Sequence, residues 1–258
     1  ALLWQLIMTL RALLVALLCG ARALQTHQTR RSVLSTIAVS TVTPAARAEF
    51  YDSKAYDAYA TTYDDLDGGG AAKALGLDAA RAALLREARG AVLEVGAGTG
   101  LNVPYYAANR EVRTVELVDA SRGMLDALRA RLGGVAKATA TLGDATKLAA
   151  ADGAYDTVVD TFSLCVYNDP GAALREMRRV VKGRDAGGRV LLLENSRPGN
   201  GLLGAYVDLT ADFVAKNGGK GCRYNQDVAA LAKAAGFAVE REEAISGGFF
   251  RAFVLSKR

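Results

Sequence analysis

The stretch that most constrains this chain is Val92-Leu93-Glu94-Val95-Gly96-Ala97-Gly98-Thr99-Gly100. A short apolar run, of strand length, leads directly into three glycines at alternate positions. Glycine carries no Cβ, so this backbone can turn sharply and admit a ligand or a second chain segment at close range. A strand feeding such a loop belongs to a fold in which strands and helices alternate and ligands gather at the strand ends. The flanking sequence supplies that alternation. Residues 71–88 read as a helix ended by Gly90. After the loop come a helix over 101–108, a strand over 113–118, and a helix capped by Ser121 that reaches Leu132. Strands follow over 138–142 and 155–161, then a helix over 172–181 and a strand over 189–193. The pattern predicts a mostly parallel sheet with helices on both faces, an α/β doubly wound fold. Beyond Asn195 the rhythm changes to helices over 201–216 and 226–235 and a closing strand pair over 238–244 and 249–256. Upstream, the spacing of Tyr56, Tyr59 and Tyr63 predicts a short helix within 50–66. With 258 residues, 51% of them apolar, one domain has ample core.

The loop is not a dinucleotide fingerprint. That pattern places its third glycine at the sixth position, which here is Leu101, and it has no use for a carboxylate two residues before the first glycine, where Glu94 stands. An acid there repels phosphates and suits a cationic ligand. S-adenosylmethionine, with its ammonium and sulfonium, is such a cofactor. Two further acids stand at consecutive strand ends. Asp119 is placed to accept both ribose hydroxyls of an adenosine, and Glu116, inside the same strand, is the weaker choice. Asp144, in Gly143-Asp144-Ala145, is placed to accept from an adenine amino group. The loop together with two strand-end acids is a far more specific signal than the loop alone.

These residues carry a resemblance. Glu94 to Gly100 resembles motif I of class I S-adenosylmethionine-dependent methyltransferases, and Asp119-Ala120-Ser121-Arg122-Gly123-Met124-Leu125 resembles the segment that follows it in the type 11 group. Tyr155 to Asp160 resembles the fourth-strand motif. Leu174 to Lys182 with Gly187 to Leu191 resembles the ubiquinone/menaquinone-biosynthesis methyltransferases, as does Tyr56 to Asp64, whose second Tyr-Asp lies by the cofactor in that family. Thr161 to Cys165, Leu193 to Arg197 and Gly221 to Asp227 look like a membrane-associated subgroup that includes thiol methyltransferases. Two departures stand out: no histidine lies near Asn195, and Gln226 replaces an arginine. The resemblance implies a Rossmann-like single domain over 49–258 with a seven-stranded sheet ordered 3-2-1-4-5-7-6. It implies cofactor contacts from Tyr63, Glu94, Gly96, Ala97, Gly98, Gly100, Asp119, Ala120, Met124, Asp144, Ala145 and Thr161, and an acceptor pocket lined by Cys165, Tyr167, Asn195 and Tyr224. The expected activity is methyl transfer to a small-molecule or lipid-like acceptor: a thiol, a phenol or a quinone precursor. The alternative is a non-catalytic binding or assembly factor on the same fold.

Other features are expected to be ordinary. Cys165 and Cys222 read as small buried hydrophobes, Phe249-Phe250 as core of the last strand pair, and Asp64-Asp65 with Asp67 as a solvated turn before Gly68. No metal constellation is apparent, and no catalytic base can be named.

Charge is distributed unevenly. Residues 1–48 hold five arginines, no acid and the single histidine, His27, so residues 49–258 carry 27 basic and 27 acidic side chains. A balanced domain gives no electrostatic footprint for nucleic acid, and one without histidine excludes Ser-His-Asp and most zinc chemistry. The leader contains two apolar runs, each closed by a small-x-small site, Ala21-Arg22-Ala23 and Ala46-Arg47-Ala48, the second preceded by Arg30-Arg31. It reads as a cleavable organellar address, to a plastid and its thylakoid lumen by its two-part form. A mitochondrial presequence or a retained N-terminal anchor is the alternative.

Overall fold

The computed structural model describes residues 53–64, 69–133, 135, 137–217 and 221–258. The leader, Asp65, Asp67 and Gly68 lie outside them.

Helix α1, Ser53–Tyr59, opens the described chain, and a turn separates it from Tyr63 and Asp64. The helix predicted over 71–88 is two pieces, α2 (Gly70–Ala74) and α3 (Leu77–Leu85). The break is at Gly76, whose φ of +76° no helix accommodates. Strand β1, Gly90–Val95, runs into the glycine loop, and α4 (Val103–Ala108), β2 (Val112–Asp119), α5 (Arg122–Leu132) and β3 (Ala138–Leu142) follow. Ser121 caps α5 as expected, its hydroxyl accepting from the Met124 amide. Next come β4 (Thr157–Thr161), α6 (Pro170–Val180, capped by Asp169) and β5 (Arg189–Asn195). The chain ends with α7 (Gly201–Asn217), α8 (Val228–Ala234), β6 (Phe237–Ile245) and β7 (Phe250–Lys257).

The strands form one sheet in the order β3-β2-β1-β4-β5-β7-β6, as the resemblance implies. The first five are parallel, and β7 runs antiparallel between β5 and β6. Alternate residues of each central strand face opposite helical layers. Leu93, Val95 and Val158 pack with Leu174 and Met177 of α6 on one face, while Val92, Val159 and Leu191 pack with Leu84, Leu85 and Tyr106 on the other. Burial on both faces is why these strands read as continuous apolar runs. Truncating Met177 to Ala would cost about 2–5 kcal/mol. The strand order reverses between β1 and β4, so the loops after β1 and β4 splay apart, and a crevice opens at their carboxyl ends.

Candidate active site

That crevice is a cavity of about 1000 Å³. One end is polar and is built from consecutive strand ends: Gly96 and Gly98 after β1, Asp119 and Ala120 after β2, and Asp144 and Ala145 after β3, with Met124 of α5 and Tyr63 closing over them. The three glycines have different tasks. At Gly96 (φ +62°) an added Cβ would lie 2.4 Å from the Ser163 side chain, so this glycine lets the loop after β4 press against the loop after β1. At Gly100 it would crowd Val103 and Leu128 at 3.1 and 3.2 Å. At Gly98 (φ +54°) it would meet only Tyr63 Cε1, at 3.9 Å. Gly98 is therefore the position where the missing Cβ leaves room for a ligand. Its amide donates to Asp119 Oδ2 at 2.8 Å, and the Ser121 amide donates to Oδ1 at 2.8 Å. Burial raises the Asp119 pKa, against the pull of these amides. Asp144 is exposed and oriented locally, accepting from the Thr146 amide and hydroxyl at 2.8 and 2.7 Å.

The N-terminal segment is fastened across this end. Asp57 accepts from the Ser121 hydroxyl at 2.6 Å and from the Gly123 amide at 2.8 Å. The Ser121 bond, more than the others, holds the Asp57 carboxyl below its usual range. Asp64 accepts from the Thr99 hydroxyl at 2.6 Å and pairs with Arg131. This corrects the reading of Asp64 as part of a solvated turn: it ties Tyr63 to the glycine loop.

Glu94 lies off the main cavity and, with Thr161, Ala97, Gly96 and Tyr63, lines a small second pocket beside the glycine loop. It is fully buried, and its Oε1 accepts from Asn102 Nδ2 at 3.0 Å. Asn102 also donates to Thr161 Oγ1 at 3.1 Å, and Arg81 donates to both Asn102 and Thr161. Burial raises the Glu94 pKa to about 7, opposed by Tyr106, Arg81 and Asn102. Glu94 and Thr161 thus belong to a polar layer beneath the loop. Ala97 joins the core and Gly100 packs on helices. The other eight residues expected to bind cofactor line the cavity, as do all four expected to meet the acceptor.

The second lobe is mostly apolar. Phe162, Val207, Phe213, Phe249 and Phe250 surround Cys165, Tyr167, Asn195 and Tyr224. Phe249 and Phe250 are not core as expected. They stand at the entry to β7, Phe249 just before it and Phe250 its first residue, where Phe250 pairs with Asn195 of β5 and its ring meets Phe162 edge-on at 5.9 Å. The two cysteines are not isolated hydrophobes either, because their sulfurs are 2.6 Å apart.

Between the lobes runs a feature that the sequence reading missed. Tyr167 Oη and Ser163 Oγ are 2.8 Å apart, and the Ser163 hydroxyl donates to Asp160. Asp160 is fully buried at the end of β4, beside the equally buried Glu194 of β5. The Ser163 amide donates to both carboxyls, at 3.3 and 3.1 Å. Burial raises the Asp160 pKa to about 6 and, together with the Asp160 charge, raises Glu194 well above the carboxylate range. The pair holds one proton near neutrality. The available signal was an acid near the carboxyl end of two otherwise apolar strands, Val158-Val159-Asp160 and Leu192-Leu193-Glu194.

Residues 93–191 match the methyltransferase-domain family. They are a methyltransferase domain. Over 118 residues the chain is 40% identical to the demethylmenaquinone methyltransferase of Mycolicibacterium paratuberculosis, covering 42% of this chain and 48% of that protein. It is 29% identical over 163 residues to the mitochondrial methyltransferase OMS1 of Saccharomyces cerevisiae, covering 56% of this chain and 33% of OMS1. The chain thus spans between a third and a half of the length of these relatives. The fold of the methyltransferase domain is shared with a SAM dependent methyltransferase from Aquifex aeolicus at a TM-score of 0.55 and 15% identity, over 80% of this chain and 98% of that one. The cofactor of such a domain is S-adenosylmethionine. The open cradle at Gly98 and the acids after β2 and β3 fit its adenosine.

Proposed function

We propose that this protein is an S-adenosylmethionine-dependent methyltransferase that acts on a small-molecule or lipid-like acceptor. The observation that carries the reading is one cavity with two chemically distinct lobes, a glycine and carboxylate end and an apolar end, joined at Ser163 and Tyr167. Gly98, Asp119, Ala120, Met124, Asp144 and Ala145 would hold the adenosine, and Tyr63 would cover it. When bound, the cofactor supplies an electrophilic methyl group on a cationic sulfur.

The chain's own residues position the acceptor, exclude water and receive a proton. The hydroxyl chain is polarised in one direction. The Tyr167 oxygen takes the acceptor proton, Tyr167 donates to Ser163, and Ser163 donates to Asp160. A relay of this kind suits a thiol, a phenol or a hydroquinone, each of which must lose a proton on or before methylation. The demethylmenaquinone enzyme supports the quinone-type acceptor among these. We include association with a membrane surface in the proposal, because Leu202, Leu209 and Phe213 stand exposed along α7, beside the apolar lobe. Among the described residues no helix is long and apolar enough to cross a membrane. The location we propose is organellar. The relative OMS1 favours the mitochondrion over the plastid suggested by the two-part leader.

The test is turnover of methyl-labelled cofactor against a panel of alkyl thiols, phenols and demethylated quinones. Transfer to one class identifies the acceptor. Cofactor binding without transfer across the whole panel supports the binding or assembly factor instead.

A further inference from the structure

Cys165 and Cys222 meet in the wall of the apolar lobe although 57 positions separate them in sequence. Cys165 lies in the loop after β4, and Cys222 lies between α7 and α8. Their backbones are held in place independently of the sulfurs. The Arg223 amide donates to the Cys165 carbonyl at 2.9 Å, and Gln226 Nε2 donates to the Leu164 carbonyl at 3.1 Å. Asn195 Nδ2 faces both sulfurs at 3.5 Å. Little motion is needed to join them. Among the described residues no cluster of three or more metal-ligating side chains includes this pair, so a metal is not its natural partner.

We propose that Cys165 and Cys222 form a reversible disulfide that fastens the 221–226 segment to the loop after β4 and so fixes one wall of the acceptor lobe. Cys222 is half-buried and Cys165 is buried, so Cys222 meets the oxidant first. The neighbouring Cys222 and burial raise the Cys165 pKa, which keeps that sulfur a thiol until its partner has reacted. With a peroxide as oxidant, the Cys222 sulfur attacks one oxygen, the O–O bond breaks, and a sulfenic acid forms with loss of water. The Cys165 sulfur then displaces the hydroxyl, which leaves as a second water. Two thiols have given up two electrons and two protons, and the peroxide has been reduced to two waters. A low-molecular-weight thiol reverses the bond by exchange.

The wall so fixed carries Tyr224, whose hydroxyl lies 3.2 Å from Thr210 Oγ1 of α7. Closing the disulfide therefore restrains α7 as well. That this alters acceptor turnover rests on the function proposed above, whereas the pairing chemistry does not.

The experiment uses the full chain with Cys19→Ser, so that the third thiol takes no part. Hydrogen peroxide is added in slight excess, remaining thiols are blocked with N-ethylmaleimide, and the digest is mapped by mass spectrometry. Hydrogen exchange over 201–227 is compared before and after oxidation. The expected result is simultaneous loss of both thiols and a linked peptide pair two hydrogens lighter than its reduced halves, restored by dithiothreitol. Exchange over 221–227 should slow at least tenfold. In Cys222→Ser, Cys165 should resist peroxide at least tenfold longer than in the parent. Oxidation of Cys222 to sulfinic acid while Cys165 still reacts with maleimide would overturn the proposal, as would a linked pair with unchanged exchange. Neither readout needs methyl transfer, so a failed acceptor panel leaves the result intact.

Discussion

Glu94→Gln should make the protein more stable at neutral and alkaline pH, and the gain should vanish in acid. Glu94 is 1% exposed, and its pKa in the fold is about 7 against an ordinary 4.5. Each unit by which the fold raises an acid's pKa costs about 1.4 kcal/mol once that acid is ionised in the unfolded chain. Burial of the Glu94 charge therefore costs about 3 kcal/mol above about pH 7. Below about pH 4.5 the side chain is protonated in both states and costs nothing, so wild-type stability falls as pH rises between those limits. Glutamine keeps the bond from Asn102, because Oε1 still accepts. Its amide nitrogen takes the place of Oε2 in the same buried layer, where Tyr106 acts on the side chain. Melting curves of both proteins from about pH 4.5 to about pH 8 give the answer. The difference should grow from near zero to about 6–12 °C, at about 2–4 °C per kcal/mol for a domain of this size. Because Asp119 and Glu194 are present in both proteins, their contributions cancel, while the repulsion between Glu94 and Asp160 is part of what the substitution removes. Curves that stay parallel across the range would refute the argument.

Gly98→Val should abolish cofactor binding by calorimetry and lower the melting temperature moderately, because a φ of +54° strains a branched side chain, whereas Gly96→Val should damage the fold further, because its Cβ also falls on Ser163. Asp119→Ala should cost about 1.5–3 kcal/mol of cofactor affinity, since it removes a charged, buried acceptor. Asp144→Asn should cost less, because an amide oxygen still accepts, and the reverse ranking would overturn the assignment of the two acids. Asp160→Asn should lower kcat/KM about 100-fold or more on an acceptor that must lose a proton. Wild-type activity should itself decline as pH falls through about 6, where Asp160 takes up its proton, and a flat pH–rate profile would exclude the relay. For the leader, N-terminal sequencing of the native protein should find Glu49 first. A chain that retains residues 12–42 would show an anchor instead.

Most of the architecture was legible because its signals are local. The Gly90, Gly96–Gly100 and Gly143 breaks, the Ser121 cap and the apolar strand runs each depend on a few neighbours, whereas the order of the sheet followed only from the family resemblance. The split of the helix at Gly76 was missed because a single glycine in an Ala- and Leu-rich run reads as tolerated. The acids at Asp119 and Asp144 were found from their places at strand ends. The surroundings of Glu94 were not legible: its position in the sequence is the same whether the side chain faces the main cavity or Asn102, and the packing of Arg81, Asn102 and Thr161 draws it beneath the loop. The relay and the cysteine pair were out of reach for a related reason. Asp160 meets Glu194, and Cys165 meets Cys222, only because β5 lies beside β4 and the segment before α8 folds back over both.

The division of the cavity has a consequence for how relatives of this protein diverge. Every residue at the cofactor end except Tyr63 comes from one continuous run, 96–145, inside the matched stretch that ends at residue 191. The apolar end draws Asn195, Tyr206, Phe213, Tyr224 and Phe250 from beyond that limit. Phe162, Cys165 and Tyr167 stand before the limit, so the apolar end is assembled from both sides of it while the glycine and carboxylate end is not. On the proposed function, exchange of α7 and the last hairpin would rebuild one wall of the acceptor lobe while the glycine and carboxylate end stayed fixed. A chimaera joined just after Leu193 would keep the Ser163–Tyr167 wall of one parent and take the α7 wall of the other.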